Sequence, residues 1–354
     1  MTKIDVARVA SKKAKGGKLT IYTMTNASGA QVKLTDIGAA IIGVTVPDKA
    51  GKMKDVALGY RDLDDYFHDG PAMGKSIGRY ANRIDVGKFK LNGKEYHLPI
   101  NNGPNHIHGG PEGFANRVWD SKVDGDKVVF SIDSPDGDQG YPGHLKAEAT
   151  FRWSDKNDLQ ITYKATTEAP TIVNLTNHAY FNLAGHDSGS VLGHKLTLLG
   201  SKYLPTTDSL IPKAIAPVKG TPMDFMKAKT LGRDIDAPFE ALKIGVGYDH
   251  SWMTEGFKAT GSLAARLRKI AVLADPASGR KLLVYTTQPA AHLYTGNWLL
   301  GNPVSKSGYS YKNRDGVAIE CQGAPDAPNQ PKLPSQRLDP GQKYSQRIVF
   351  SFRK

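Results

Sequence analysis

The sequence predicts an all-β protein, a large antiparallel β-sandwich with few short helices. Three observations predict it. Short runs of β-branched and aromatic residues, broken by Gly, Asn, Asp and Pro, recur from end to end of the 354 residues, the pattern of sandwiches and barrels and not of strands alternating with helices. Asn-Gly stands between two alternating runs at residues 89–97, and that dipeptide suits the two positive φ angles of a type I′ turn. No fixed-period repeat, low-complexity tract or linker composition divides the chain.

Taken in order, residues 1–18 hold the one local lysine cluster, Lys12, Lys13, Lys15 and Lys18, and are expected as a basic, flexible amino-terminal segment. Residues 19–354 are expected as one sandwich domain. Strands are predicted over 19–25 and 32–36, with 40–46 a more fully buried one stopped by Pro47. The run Phe89-Lys90-Leu91-Asn92-Gly93-Lys94-Glu95-Tyr96-His97 reads as a hairpin, Asp124-Gly125 as the turn of a second, and 150–153 with 159–163 as a third. Alternation returns over 281–287 and 346–352, whereas the proline-bearing stretches 205–225 and 326–340 read as irregular surface structure.

Composition excludes several classes. Hydrophobic residues make up 39% and charged residues 23%, values of a globular protein, and no run approaches the ~18 apolar residues that a spanning helix needs. Cys321 is the only cysteine, so an intrachain disulfide and a cysteine-based zinc site are both out. The net charge of +13 invites a nucleic-acid reading, but the Lys and Arg residues are spread along the chain and not gathered into a footprint. Neither a nucleic-acid nor a membrane partner is therefore expected. No signal peptide is visible, so a cytoplasmic setting is expected, or a periplasmic or secreted one if a signal was removed before residue 1.

Four polar clusters set ionisable groups beside Gly or Asn at strand ends, where sheet proteins present function. They are Gly78-Arg79-Tyr80-Ala81-Asn82-Arg83-Ile84, Asn105-His106-Ile107-His108-Gly109-Gly110, Asn174 through Leu183 with His178 inside it, and Ala318-Ile319-Glu320-Cys321-Gln322. Each alone has a plain structural explanation; the combination points to a site. His106 and His108 alternate and should face opposite ways, so that pair makes a poor metal site and no metal is expected. Trp119, Trp153, Trp252 and Trp298 are expected in the core rather than stacked on a ligand.

These motifs resemble the aldose 1-epimerase, or galactose mutarotase, family over nearly the whole chain. Asn82-Arg83-Ile84 matches the segment with the family's sugar-binding arginine, His108 the histidine before a Gly-Gly pair, His178 the second histidine, Asp249 in Gly247-Tyr248-Asp249-His250 the aspartate, and Glu320 the catalytic glutamate before Pro325-Asp326-Ala327. Gln288 and Tyr294 resemble the segment ahead of the glutamate strand, and Gln288 is carried over as a secondary binding residue. The resemblance implies a large twisted antiparallel sandwich with an open cleft, a free monosaccharide as substrate, no cofactor, and a monomer or weak homodimer.

The residue types suit that reaction. Anomer exchange needs one group to take the proton of the C1 hydroxyl while another protonates the ring oxygen, and Glu and His are side chains whose pKa values can be tuned toward neutrality. Glu320 is expected as the base on O1 and His178 as the acid on O5, with Asn82, Arg83, His108, Asp249 and Gln288 holding the sugar. Three alternatives fit the same residues: a lectin-like binding module, a glycoside hydrolase using Asp249 and Glu320 as its two carboxyl groups, and an epimerase of hexose 6-phosphates.

Overall fold

In the computed structural model, which describes residues 2–354, the strands Lys88–Leu91 and Lys94–His97 close on Asn92 and Gly93. Both turn residues have positive φ, 52° and 80°, as a type I′ turn requires. Phe89 pairs with Tyr96 across the hairpin and their rings stack at 5.2 Å. The second and third expected hairpins are also present, as Asp120–Asp124 with Lys127–Ser134 and Leu145–Trp153 with Asp158–Thr167.

Those strands are consecutive members of a nine-stranded sheet. Its order continues from Asp158–Thr167 through Tyr344–Arg353, Lys281–Thr286, Arg268–Ala274 and Lys195–Leu198 to Lys229–Thr230, all antiparallel. A five-stranded meander, Lys3–Ala10, Lys18–Thr25, Gln31–Thr35, Ala40–Pro47 and Met53–Asp55, forms a second sheet. A third has six strands in the order Tyr180–Phe181, Val317–Gln322, Ala290–Tyr294, Asp249–Met253, Lys202–Tyr203 and Ala216–Pro217. The α-helices among the described residues are the short Glu240–Gly245 and Leu263–Arg266. This is the all-β architecture that the strand pattern predicts, and none of these helices is long and apolar enough to cross a membrane.

One hydrophobic cluster draws on all three sheets: Met24 and Val32 from the meander, Phe130, Phe151, Ile161 and Phe350 from the nine-stranded sheet, and Trp252, Leu293, Ile319 and Cys321 from the six-stranded one. Alternation then assigns the two faces of the last sheet. Ile319 and Cys321, Ala291 and Leu293, and Trp252 go to the core, which leaves Glu320, His292 and Tyr294, and Asp249 on the face toward the cleft.

The amino-terminal segment departs from expectation. Residues 3–10, expected within a flexible basic arm, form an edge strand paired with Lys18–Thr25 over its full length, from Lys3↔Thr25 to Ala10↔Lys18. Backbone pairing holds this segment, whose side chains are largely exposed. Three tryptophans are core residues as expected, with Trp153 donating its indole N–H to the Ala30 carbonyl and Trp252 to that of Met223. Trp298 is not: it is 64% exposed and stands on the cleft wall.

Candidate active site

Register across three neighbouring strands builds the floor of a cleft of about 1000 Å³. Ser251 pairs with His292 and His292 with Glu320 in one row. Two residues along, on the same face, Asp249 pairs with Tyr294 and Tyr294 with Ala318, whose other neighbour is Tyr180. Residues distant in sequence are thus brought side by side by strand pairing alone.

His178 comes from the connection between the short strands Thr176–Asn177 and Tyr180–Phe181. Its amide donates to the Lys75 carbonyl at 2.8 Å, its carbonyl accepts the Gly74 N–H at 3.0 Å, and its ring stacks on Tyr180 at 4.8 Å. Asn174 clips two site segments together: its amide nitrogen donates to the carbonyls of Ala81 and Gly323, and its oxygen accepts the Gly323 N–H at 2.7 Å.

Asn82 and His108 both adopt left-handed backbone, φ 63° and 53°, a conformation that Asn and His accept more readily than most side chains. The Asn82 N–H donates to His108 Nδ1 at 3.2 Å. Behind His108, Gly109 passes so close to Gly78 that a β-carbon would overlap the Gly78 carbonyl oxygen, so a glycine is required there. Arg83 donates through Nε to Asn102 Oδ1 at 3.0 Å and through Nη1 to Asn82 Oδ1 at 3.4 Å, and its Nη2 stands 3.8 Å from Asp249 Oδ2.

His178 Nε2 and Glu320 Oε1 lie 3.5 Å apart, both side chains almost fully buried. His178 Nδ1 and Glu320 Oε2 have no hydrogen-bond partner, which marks polar capacity held in reserve at a buried site. Burial pushes the Glu320 carboxyl well above the usual range, the Asp249 charge adds to this, and Arg83 opposes it. Burial also pulls His178 down to about 4. Asp249 goes the other way: burial would raise it, but the 2.6 Å hydrogen bond from His292 and the charge of Arg83 together hold it well below the ordinary carboxylate range.

His108, His178 and Glu320 each bring a potential metal-ligating atom within 4.8 Å of the others. The Nδ1 lone pair of His108 is already taken by the Asn82 N–H, so Nε2 of the neutral ring carries the proton. That histidine offers the cleft a donor and not a lone pair, a better fit to a hydroxyl than to a cation.

Of the residues expected at the site, Glu320, His178, Asn82, Arg83, His108 and Asp249 line the one cleft. Gln288 does not. It is fully buried away from the lining, its amide nitrogen spent on the Leu175 carbonyl at 3.1 Å and the Tyr344 hydroxyl at 2.9 Å. His106 is likewise turned away, bonded to the Pro99 carbonyl and the Tyr141 hydroxyl. Sequence reasoning missed His292, Asn102 and Trp298, all on the lining. Strand alternation with Tyr294 is the signal that would have found His292.

The sequence profile described as aldose 1-epimerase matches residues 20–351. The galactose mutarotase of Rattus norvegicus is 42% identical over 322 residues, covering 91% of this chain and 90% of that protein. The aldose 1-epimerase of Escherichia coli K12 is 37% identical over 342 residues, 95% and 96% of the two chains. Among solved structures, the GalM/aldose epimerase homologue from C. elegans superposes with a TM-score of 0.83 at 30% identity, over 100% of this chain and 99% of that one. The galactose 1-epimerase of Lactobacillus acidophilus gives 0.83 at 27% identity, over 99% of each.

Proposed function

This chain belongs to the aldose 1-epimerase family, and from that premise we propose that its cleft exchanges the anomers of a free hexose such as glucose or galactose, with Glu320 as base and His178 as acid. The observation that carries the reading is the buried Glu320–His178 pair, 3.5 Å apart, each side chain with a polar atom unspent.

In this reading the sugar lies between the two groups. Glu320 takes the proton of the C1 hydroxyl as C1–O1 becomes a carbonyl; the C1–O5 bond breaks, and O5 takes a proton from His178. Rotation about C1–C2 presents the other aldehyde face. His178 then accepts the proton from O5 as it attacks C1, and Glu320 returns one to O1, so both groups end as they began. Each such transfer contributes ~10² to 10⁴ in rate. Arg83, the His108 Nε2–H, Asn82 and Asp249 hold the remaining hydroxyls without exchanging the reacting proton.

The pair titrates as a unit. With two protons it has an acid and no base; with none it has a base and no acid; only the one-proton state carries both. Burial lowers His178 to about 4 and lifts Glu320 above the usual carboxylate range. Those directions favour the proton on Glu320 in the one-proton state, so the working form, with the proton on His178 and Glu320 ionised, is its minor tautomer. Adding a second proton sets the acid limb and removing the last one the alkaline limb, each a property of the pair and not of one residue. The expected result is a bell-shaped pH dependence of kcat after subtraction of the spontaneous rate. A rate still climbing on the alkaline side would move the acid role away from this pair.

Charge on the cleft wall selects against a phosphorylated sugar. Among the described residues Arg83 is the only Lys or Arg on the lining, against Asp208, Asp249 and Glu320; the Asp69 charge is met by Lys75 behind it, and the Arg83 guanidinium already serves Asn82 and Asn102. Polarimetry of freshly dissolved α-glucose, α-galactose and glucose 6-phosphate tests both points. The free sugars are expected to equilibrate faster with protein present, and the phosphate at least about tenfold less efficiently, a penalty of ~1.4 kcal/mol. Absence of acceleration on every sugar would overturn the enzyme reading in favour of a binding module.

A further inference from the structure

We propose that His292, backed by Ser251, is a positioning residue that holds the Arg83–Asp249 pair open, so that a hydroxyl of the sugar can bridge it. The inference rests on the sugar-binding reading of Arg83 and Asp249 given above.

The chain of contacts starts on the buried side. Ser251 Oγ meets His292 Nδ1 at 2.8 Å, and His292 Nε2 meets Asp249 Oδ1 at 2.6 Å. Asp249 is held ionised and can only accept, so His292 Nε2 carries the proton; in the neutral ring Nδ1 then accepts the Ser251 hydroxyl. The serine, histidine and aspartate have the contacts of a hydrolytic triad, but in reverse aspect. The carboxylate faces the cleft, while Ser251 is buried and absent from the lining. Asp249 thus sets the ring's tautomer, and the serine holds the other nitrogen in place and has no route to a substrate as a nucleophile.

On the other side of Asp249, Oδ2 stands 3.8 Å from Arg83 Nη2, too far for a hydrogen bond. An Arg and an Asp in a buried site ordinarily close to ~2.7–2.9 Å, often with two bonds. Here both are restrained: Arg83 by Asn102 and Asn82, and Asp249 by His292 at Oδ1. The remaining gap has a donor on one wall and an acceptor on the other, the complement of a hydroxyl that accepts from Nη2 and donates to Oδ2. Freed from His292, Asp249 can swing onto Arg83, and the sugar must then break a closed ion pair to bind.

Steady-state mutarotation kinetics of the native protein, His292→Leu, His292→Gln and Ser251→Ala test this. Leu removes the donor, and KM is expected to rise about tenfold to a hundredfold, the worth of a hydrogen bond to a charged group, with kcat within about threefold because neither Glu320 nor His178 loses a hydrogen bond or its partner across the pair. Gln restores an N–H near the Nε2 position and should bring KM back to within about threefold of native. Ser251→Ala removes the bond that holds His292 Nδ1 but leaves its bond to Asp249, and should fall between. A native KM in the Leu variant, a Gln variant as impaired as Leu, or a kcat that falls with the rise in KM would overturn the proposal. Native protein that accelerates no sugar would instead overturn the functional reading beneath it.

Discussion

Glu320→Gln is expected to lower the catalysed rate of anomer exchange by about 10³-fold, with sugar binding retained. Gln keeps the size of the side chain and a carbonyl oxygen that can still accept a hydroxyl proton in a hydrogen bond, but it cannot take that proton away. Glu320 lies on a central strand of the six-stranded sheet, flanked by Ala290–Tyr294 and Tyr180–Phe181, so the replacement leaves the register unchanged. It also removes a carboxyl that burial already disfavours in its charged form, so stability should hold or rise slightly. Polarimetry together with urea unfolding separates the two effects. A variant that retains more than about a tenth of native kcat would show that the base is another group, and Asp249 is the remaining carboxylate on the cleft face of this sheet. Asp249 is the poorer base, because its carboxyl is held well below the ordinary range.

What the sequence made legible follows from range. The Asn92-Gly93 hairpin is decided by two adjacent residues with positive φ, and it stands where the dipeptide predicts it. The strands expected at 32–36, 40–46 and 346–352 lie within a few residues of Gln31–Thr35, Ala40–Pro47 and Tyr344–Arg353, because alternation is itself local. The cleft residues were reached through motifs, and six of the seven named meet there. Gln288 shows the limit of that route: its position in the chain resembles a binding segment, yet its side chain lies inside, off the cleft lining, with its amide nitrogen on Leu175 and Tyr344. The edge strand Lys3–Ala10 was hidden by the lysine cluster at residues 12–18, which reads as the mark of a flexible end; its β-branched Ile4, Val6 and Val9 are the local signal, and backbone pairing to residues 18–25 is what holds it. His292 was hidden because its importance lies in partners on neighbouring strands, Ser251, Asp249 and Glu320, that only register brings into contact. Trp298 defeats a rule about residue type, since a large aromatic is exposed where the cleft opens.

Lys75→Met is expected to destabilise the fold by about 3–5 kcal/mol, the cost of leaving one member of a buried ion pair without its partner. Lys75 and Asp69 pair with both side chains sealed from solvent. The ammonium also donates to Asn116 Oδ1 at 3.2 Å, and Asp69 Oδ2 accepts the Tyr60 hydroxyl at 3.0 Å and the Met73 N–H at 2.8 Å. Burial drives the Lys75 pKa down, and Asp69 is what opposes that shift, so each charge is tolerated only because of the other. Met fills the space of the lysine stem but leaves Asp69 as an unpaired buried anion. The double variant Lys75→Met/Asp69→Asn tests the reasoning, because an amide oxygen can still accept from Tyr60 and Met73 with no charge to desolvate. It should recover to within about 1–2 kcal/mol of native in urea unfolding. Because the Lys75 carbonyl holds the His178 amide and the Gly74 amide holds its carbonyl, the single variant should also lose activity and the double variant regain it. If the single replacement costs less than about 1 kcal/mol, water or a proton must reach Asp69, and the segment that pins His178 is less enclosed than its packing indicates.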